Sequence, residues 1–261
     1  MIIDFHAHIY PEKIAEKARK SIQTFYDEVP MSGNGSIAGL LESGSKIGVE
    51  KYIVHSTATK PEQVISINNF IIEAAKNEPR FIGFGTMHPG FADFESEIER
   101  IKNANLKGVK IHPDFQKFQA DAEVMDPIYD CLAQNNMPVL FHAGDYRYDF
   151  SGPLRMLNVH KKHPNLKVVA AHFGGYTEWE KSYQILCGSG VYFDTSSTLW
   201  KLPVEQAQKM IAKHGIEKFL FGSDYPMWNH VEELGRIKKL GLTDSELEMV
   251  LYKNAVSLLE L

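Results

Sequence analysis

The chain reads as an α/β protein of the (β/α)8 TIM-barrel class, one domain over residues 1–261. Three observations predict this. Eight short apolar runs are separated by amphipathic stretches. Run and stretch alternate strictly, which calls for parallel strands joined by right-handed crossovers. Residues able to ligate a metal or move a proton recur at the ends of the runs.

The runs are IIDFH (2–6), YIVHS (52–56), FIGFGTM (81–87), GVKIH (108–112), PVLFH (138–142), KVVAAH (167–172), VYFDT (191–195) and KFLFGSD (218–224). Between them, apolar residues recur at helical spacing. Examples are Val64, Ile67, Ile71 and Ala74; Phe94, Ile98 and Ile101; Met125, Ile128 and Leu132; and Val204, Ala207 and Ile211. Ser36 suits the cap of a helix ending near Gly48. Pro61 and Pro203 fall where first-turn prolines are tolerated, and Pro79, Pro138 and Pro164 stop helices or open strands. An open doubly wound sheet ranks lower, because no Gly-x-Gly-x-x-Gly follows the first strand. The stretch MSGNGS (31–36) reads as a loop inside the first connection, not a domain boundary.

Composition sets the outer bounds. Net charge is −5, which disfavours a nucleic-acid surface. No apolar run reaches membrane-spanning length. The first strand opens at residue 2, and no targeting peptide is expected. Cys131 and Cys187 form neither a disulfide framework nor a close metal pair, as expected of reduced thiols in a cytoplasmic protein. A homodimer is open, since no stripe declares an interface.

In a barrel of this kind the site lies at the C-terminal ends of the strands. There the sequence places His6 and His8, His55, His88, Lys110 and His112, His142, His172, Asp194 and Asp224. By a strict period of two, Asp4, His6 and His8 share one face of the first strand, with Ile3 and Phe5 on the other. Leu220, Gly222 and Asp224 share a face of the eighth. A lone buried histidine is usually a hydrogen-bonded core residue; this many would each need a partner. One divalent cation satisfies several together. Imidazole and carboxylate without thiolate suit Zn, Mn, Fe or Ni better than Mg or Ca. Zinc is the first expectation and manganese the alternative.

DFHAH, FHAG, AHFGG and FGSDYP, in this order on strands 1, 5, 6 and 8, resemble the amidohydrolase superfamily. More narrowly, they resemble the amidohydrolase-related branch that holds aminocarboxymuconate-semialdehyde decarboxylase, resorcylate decarboxylases and metal-dependent hydrolases and lactonases. The resemblance implies that His6, His8 and His142 are metal ligands. It implies that Asp224 binds the metal or its water, and that His172 acts as acid/base near that water. Binuclear relatives carry a bridging carboxylated lysine at the end of strand 4, where Lys110 stands. The preferred expectation is an unmodified Lys110, paired with a buried carboxylate such as Asp4 or anchoring substrate.

His112 is a candidate pocket residue or a strand cap before Pro113. Arg147, in GDYRYDF after strand 5, either clamps a substrate carboxylate or is a loop surface charge. Tyr146, Tyr148, Trp200, Tyr225 and Trp228 lie in post-strand loops, where they form a flat apolar pocket or pack under loops. The expected function is a metal-dependent hydrolase acting on a small ester, lactone or amide. The alternative is non-oxidative decarboxylation of a small unsaturated or aromatic carboxylate. A non-catalytic binding protein is disfavoured, because no expected metal or acid/base position is substituted. A metal-free sugar-phosphate barrel is disfavoured too, because no Gly-rich phosphate loop follows strand 7 or 8.

Overall fold

The computed structural model describes residues 1–261. Its eight strands are β1 (Ile3–His8), β2 (Lys51–His55), β3 (Phe81–Thr86), β4 (Gly108–Ile111), β5 (Val139–Phe141), β6 (Val168–Ala170), β7 (Tyr192–Asp194) and β8 (Phe219–Leu220). They pair in chain order, every pair parallel. Backbone bonds bring the two ends of the sheet together. Phe5 N–H donates to the Phe221 carbonyl at 2.7 Å, His8 N–H to that of Tyr225 at 2.8 Å, and Asp224 N–H to that of His6 at 2.8 Å.

Helices fill the connections. They are α1 (Glu12–Phe25), α2 (Ile37–Ser45), α3 (Val64–Asn77), α4 (Phe94–Asn103), α5 (Pro113–Gln116), α6 (Asp126–Gln134), α7 (Pro153–Lys162), α8 (Trp179–Ile185), α9 (Val204–His214), α10 (His230–Lys238), α11 (Asp244–Glu248) and α12 (Asn254–Leu259). No helix is long and apolar enough to cross a membrane. Local chemistry sets several starts. Ser36 Oγ accepts from Gly39 N–H at 3.0 Å and caps α2. Pro113 and Pro153 occupy first turns, where a missing N–H costs nothing. Thr243 and Glu246 close a capping box at α11.

The core has two layers. Phe5, Ile53, Phe84, Leu140, Val169 and Leu220 pack inside the barrel, and Ala255, Leu258 and Leu259 of α12 pack against them. Their strand neighbours Tyr52, Val54, Val109, Phe141, Val168 and Phe193 face the helices in a larger cluster. Parallel strands buried on both faces explain why the runs read as continuous apolar segments.

The strict alternation expected of β1 is broken. Ile3 and Asp4 pair with Lys51 and Tyr52, but Ala7 and His8 pair with Val54 and His55. One extra residue sits in β1, a bulge that reverses parity between Phe5 and His6. Ile3 and Phe5 therefore point into the barrel with His6 and His8. Asp4 points the other way, outside the barrel. Its carboxylate accepts from His6 N–H (3.0 Å), Ser223 N–H (2.9 Å), Ser223 Oγ (2.6 Å) and His230 Nε2 (2.9 Å). His230 Nδ1 reaches Ser43 Oγ of α2 at 2.8 Å. The expected pairing of Lys110 with Asp4 is thereby corrected, since Lys110 lies inside the barrel with Asp194 and Asp224 as its charged neighbours.

The eighth run also departs from the expectation. Its ladder stops at Leu220, because Phe221 N–H turns to the Val250 carbonyl (2.9 Å). Leu220 does pack inward, and a Cβ on Gly222 would meet His6 Cβ at 2.9 Å, so this position needs glycine.

Two outcomes follow from these contacts. Asp4→Ala leaves buried donors on His230 and Ser223 unpaired and should cost about 3–5 kcal/mol in urea unfolding. His214 is buried, its Nδ1 accepts from Gly188 N–H (3.1 Å) and its Nε2 donates to Val191 O (2.9 Å), and burial brings its pKa down to about 4 against the pull of the Val191 carbonyl. Between pH 6.5 and 4 the unfolded chain gains a proton that the folded chain resists. Stability should fall through that window as pH falls, by up to about 3 kcal/mol from this group. His214→Gln should flatten the slope measured by urea midpoints across that range.

Candidate active site

The C-terminal rim of the barrel holds a narrow cleft, open at its mouth. Its polar lining comes from β1 (His6, His8), β4 (Lys110) and the segments after β4 (His112), β5 (His142), β6 (His172) and β8 (Asp224). Ile22, Met31, Phe115, Pro226 and Met227 supply apolar walls. His172 (φ 61°) and Asp224 (φ 57°) adopt left-handed backbone, which non-glycine residues avoid and which clusters at functional sites.

Three lone-pair atoms converge on the floor. His6 Nε2, His8 Nε2 and Asp224 Oδ1 stand 3.3 Å from one another. The centre of that triangle is 3.3 Å divided by √3, about 1.9 Å, from each corner. Zinc–nitrogen and zinc–oxygen bonds are about 2.0–2.2 Å. His6 Nδ1 donates to Asp194 Oδ2 at 2.7 Å, so its Nε2 is left as an acceptor. Asp194 is fully buried and also accepts from Ser196 Oγ (2.6 Å) and His172 N–H (2.9 Å). Burial pushes its pKa up, but His6 and these donors outweigh that and bring it to about 2.

A second observation points the same way. His142 Nε2 lies 2.9 Å from the Gly144 carbonyl, and His172 Nδ1 lies 3.0 Å from that of Ser196. Carbonyls only accept, so both of these nitrogens carry the proton. His142 Nδ1 and His172 Nε2 then face each other at 3.1 Å as two lone pairs. Two lone pairs at that distance need a cation or a shared proton between or beside them. Burial brings the pKa of His172 down to about 4, against the pull of Asp224 and Asp194. A proton there is therefore disfavoured, and the donor set fits a divalent cation. His6, His172 and Asp224 offer atoms within 4.8 Å of one another; so do His6, His8 and His55; and so do His112, Asp114 and His142. His142 thus touches the group through His172.

Lys110 Nζ sits 3.2 Å from His6 Nε2. Burial brings its pKa down to about 8, against the pull of Asp194 and Asp224. His112 stacks on His142 (centroids 4.0 Å apart) and on Phe115 (3.7 Å). Its Nδ1 accepts from Phe115 N–H at 3.3 Å, so His112 both lines the cleft and caps α5.

Six expected pocket residues lie elsewhere: Tyr148, Tyr225 and Trp228 do not line the cleft, and neither do Arg147, Tyr146 and Trp200. The guanidinium of Arg147 is held bidentately by Asp145 (2.9 and 2.7 Å) and donates to the Phe25 carbonyl, so it is not free to clamp a ligand. Tyr146 is exposed on the same loop. Trp200 Nε1 donates to the Ser197 carbonyl (3.0 Å), and its ring packs beside Trp228. His88 turns to Gly90 N–H (3.0 Å), also away from the cleft.

The fold gives three further residues their places. Asp194 orients His6, a role its strand-end position hinted at. His55 is fully buried beside His8 (centroids 4.4 Å apart), with neither ring nitrogen hydrogen-bonded. Tyr26, at the C-terminal end of α1, reaches His112 Nε2 at 3.2 Å, and nothing in its local sequence marks it.

The amidohydrolase family model matches residues 3–261. The chain belongs to the amidohydrolase family. No curated protein matches its sequence. Solved structures share the fold at low identity. A 2,6-dihydroxybenzoate decarboxylase complexed with 2,6-dihydroxybenzoate aligns at TM-score 0.78 and 14% identity, over 100% of this chain and 99% of that one. A dihydroxybenzoic acid decarboxylase from a Polaromonas species, with bound manganese and 2-nitroresorcinol, aligns at 0.77 and 16%, over 99% and 96%. A probable 2-pyrone-4,6-dicarboxylic acid hydrolase from Acinetobacter baumannii aligns at 0.73 and 16%, over 100% and 99%. This amidohydrolase is thus similar in fold both to decarboxylases and to a hydrolase.

Asp194→Asn removes the carboxylate that fixes the His6 tautomer. It should lower zinc affinity about 10- to 100-fold in a chelator-competition titration, with the far-UV circular dichroism unchanged. Unchanged affinity would remove Asp194 from the metal centre.

Proposed function

We propose that this amidohydrolase is a metal-dependent hydrolase of a small ester, lactone or amide. His6, His8 and Asp224 hold one divalent ion, zinc first and manganese as the alternative. His142 Nδ1, left unprotonated by the Gly144 carbonyl, is the fourth donor. When bound there, such an ion supplies Lewis-acid polarisation of a carbonyl and brings the pKa of a water toward neutrality.

The chain's own groups do the rest. Asp224 Oδ2 accepts from Ser197 Oγ at 2.5 Å, which fixes the carboxylate with Oδ1 on the triangle. Held there, Asp224 takes a proton from the attacking water. His172 Nε2, unprotonated at rest, receives it transiently and, being a weak base, hands it on to the leaving group. Phe115 and Met227, with the ring of His112 stacked on Phe115, form a wall that orients the substrate and excludes bulk water.

The observation that carries hydrolysis over decarboxylation is the fate of the cations. Lys110 is the one cationic side chain lining the cleft and is turned to His6, and Arg147 is neutralised by Asp145. A neutral carbonyl substrate fits that lining better than an aromatic carboxylate. The decarboxylase reading is the alternative because the solved neighbours include dihydroxybenzoate decarboxylases that align over nearly the whole of both chains.

A panel of aryl esters, γ- and δ-lactones and dihydroxybenzoates, offered to zinc- and manganese-loaded protein, separates the two. Hydrolysis of an ester or lactone is expected, falling at least about 100-fold in Asp224→Asn. Release of CO2 without any hydrolysis would overturn the hydrolase reading in favour of the second.

A further inference from the structure

The cleft is small, but it is not the only space at the rim. A larger groove, open to solvent, begins at His8 and runs outward between α1 and the start of α3. His8, Ile22 and Phe115 line both spaces, so the groove is continuous with the metal triangle. Its walls are largely apolar, formed by Ile14, Ile22, Phe25, Ile67, Phe70 and Phe115. Ile14 is 48% exposed, a large aliphatic side chain left open to water at this edge. Lys17 and Lys117 line the groove and are exposed, while its single carboxylate, Asp114, is buried.

We propose that this groove is the second arm of the substrate site and takes an apolar acyl chain that ends in an anionic group. The inference rests on the hydrolase reading for what happens at the carbonyl, but not for the groove itself. The scissile carbonyl lies at His8 and Asp224. The chain extends along Ile22 and Phe115 and then along Ile67 and Phe70. Each buried methylene adds affinity. Lys17 and Lys117 meet the distal negative charge, whose interaction with them weakens with salt. The substrate class is therefore a monoester or amide of a medium-chain dicarboxylic acid, or an ω-carboxyacyl lactone.

The test uses the intact, metal-loaded chain and two separate readouts. Isothermal titration compares butyrate, octanoate, decanoate and decanol. Kinetics compare 4-nitrophenyl acetate with 4-nitrophenyl octanoate. Decanoate should bind at least about tenfold tighter than butyrate. Ala18→Trp and Ser66→Trp, which fill the groove from α1 and α3, should each remove most of that difference and collapse the octanoate-to-acetate ratio of kcat/KM. Lys17→Glu should weaken decanoate but not decanol. Affinity independent of chain length, or indifferent to both groove-filling variants, would overturn the groove. Chain-length-dependent binding that these variants abolish, without turnover of either ester, would uphold the groove and sink the hydrolase reading. Ester turnover without chain preference would do the reverse.

Discussion

The site depends on a bulge in the first strand. A regular β1 would send His6 toward the helices whenever Phe5 fills the barrel. The extra residue between Asp4 and Ala7 lets Phe5, His6 and His8 all point inward. A bulge forfeits ladder bonds and needs support. Asp4 provides it, by accepting from His6 and Ser223 at once. The same carboxylate thus holds β1 against the segment that carries Asp224, and the separation of His6, His8 and Asp224 follows from that clamp. His230 and Ser43 extend it to α10 and α2, so the helical shell helps set the distances on the cleft floor.

Above the apolar interior, the barrel carries a layer of imidazoles, one lysine and two carboxylates with almost no water-exposed surface. Burying that many polar groups is costly unless each has a partner. Part of the cost is met by orientation: Asp194 takes His6, Gly144 takes His142 and Ser196 takes His172. Each of these bonds directs the remaining lone pair of its ring inward. The lone pairs left over, with the unbonded nitrogens of His55 and His8, are what a cation and a substrate would complete.

Much of this was legible in the chain. Eight runs alternating with helical patterns identified the barrel, because parallel strands buried on both faces leave continuous apolar segments. Strand-end position picked out His6, His8, Lys110, His112, His142, His172 and Asp224, all of which line the cleft. Period two failed at Asp4, since a bulge leaves no mark in a hydrophobic pattern. Arg147 and Trp200 were misjudged for a different reason. A loop side chain can turn to a neighbour in its own loop as readily as to the cleft, and here Asp145 and Ser197, two and three residues away, take them. Tyr26 escaped notice because a long-range contact, not a local motif, brings α1 over the cleft. The groove beneath α1 was invisible for the same reason.

The central claim is that one divalent ion completes the triangle of His6, His8 and Asp224. Elemental analysis of protein purified without added metal, counted per chain, tests it most directly. About one zinc or manganese per chain is the predicted result, lost in a His6→Ala, His8→Ala double variant that still folds. No bound metal, even after incubation with zinc and manganese, would contradict the account and make this layer a polar core.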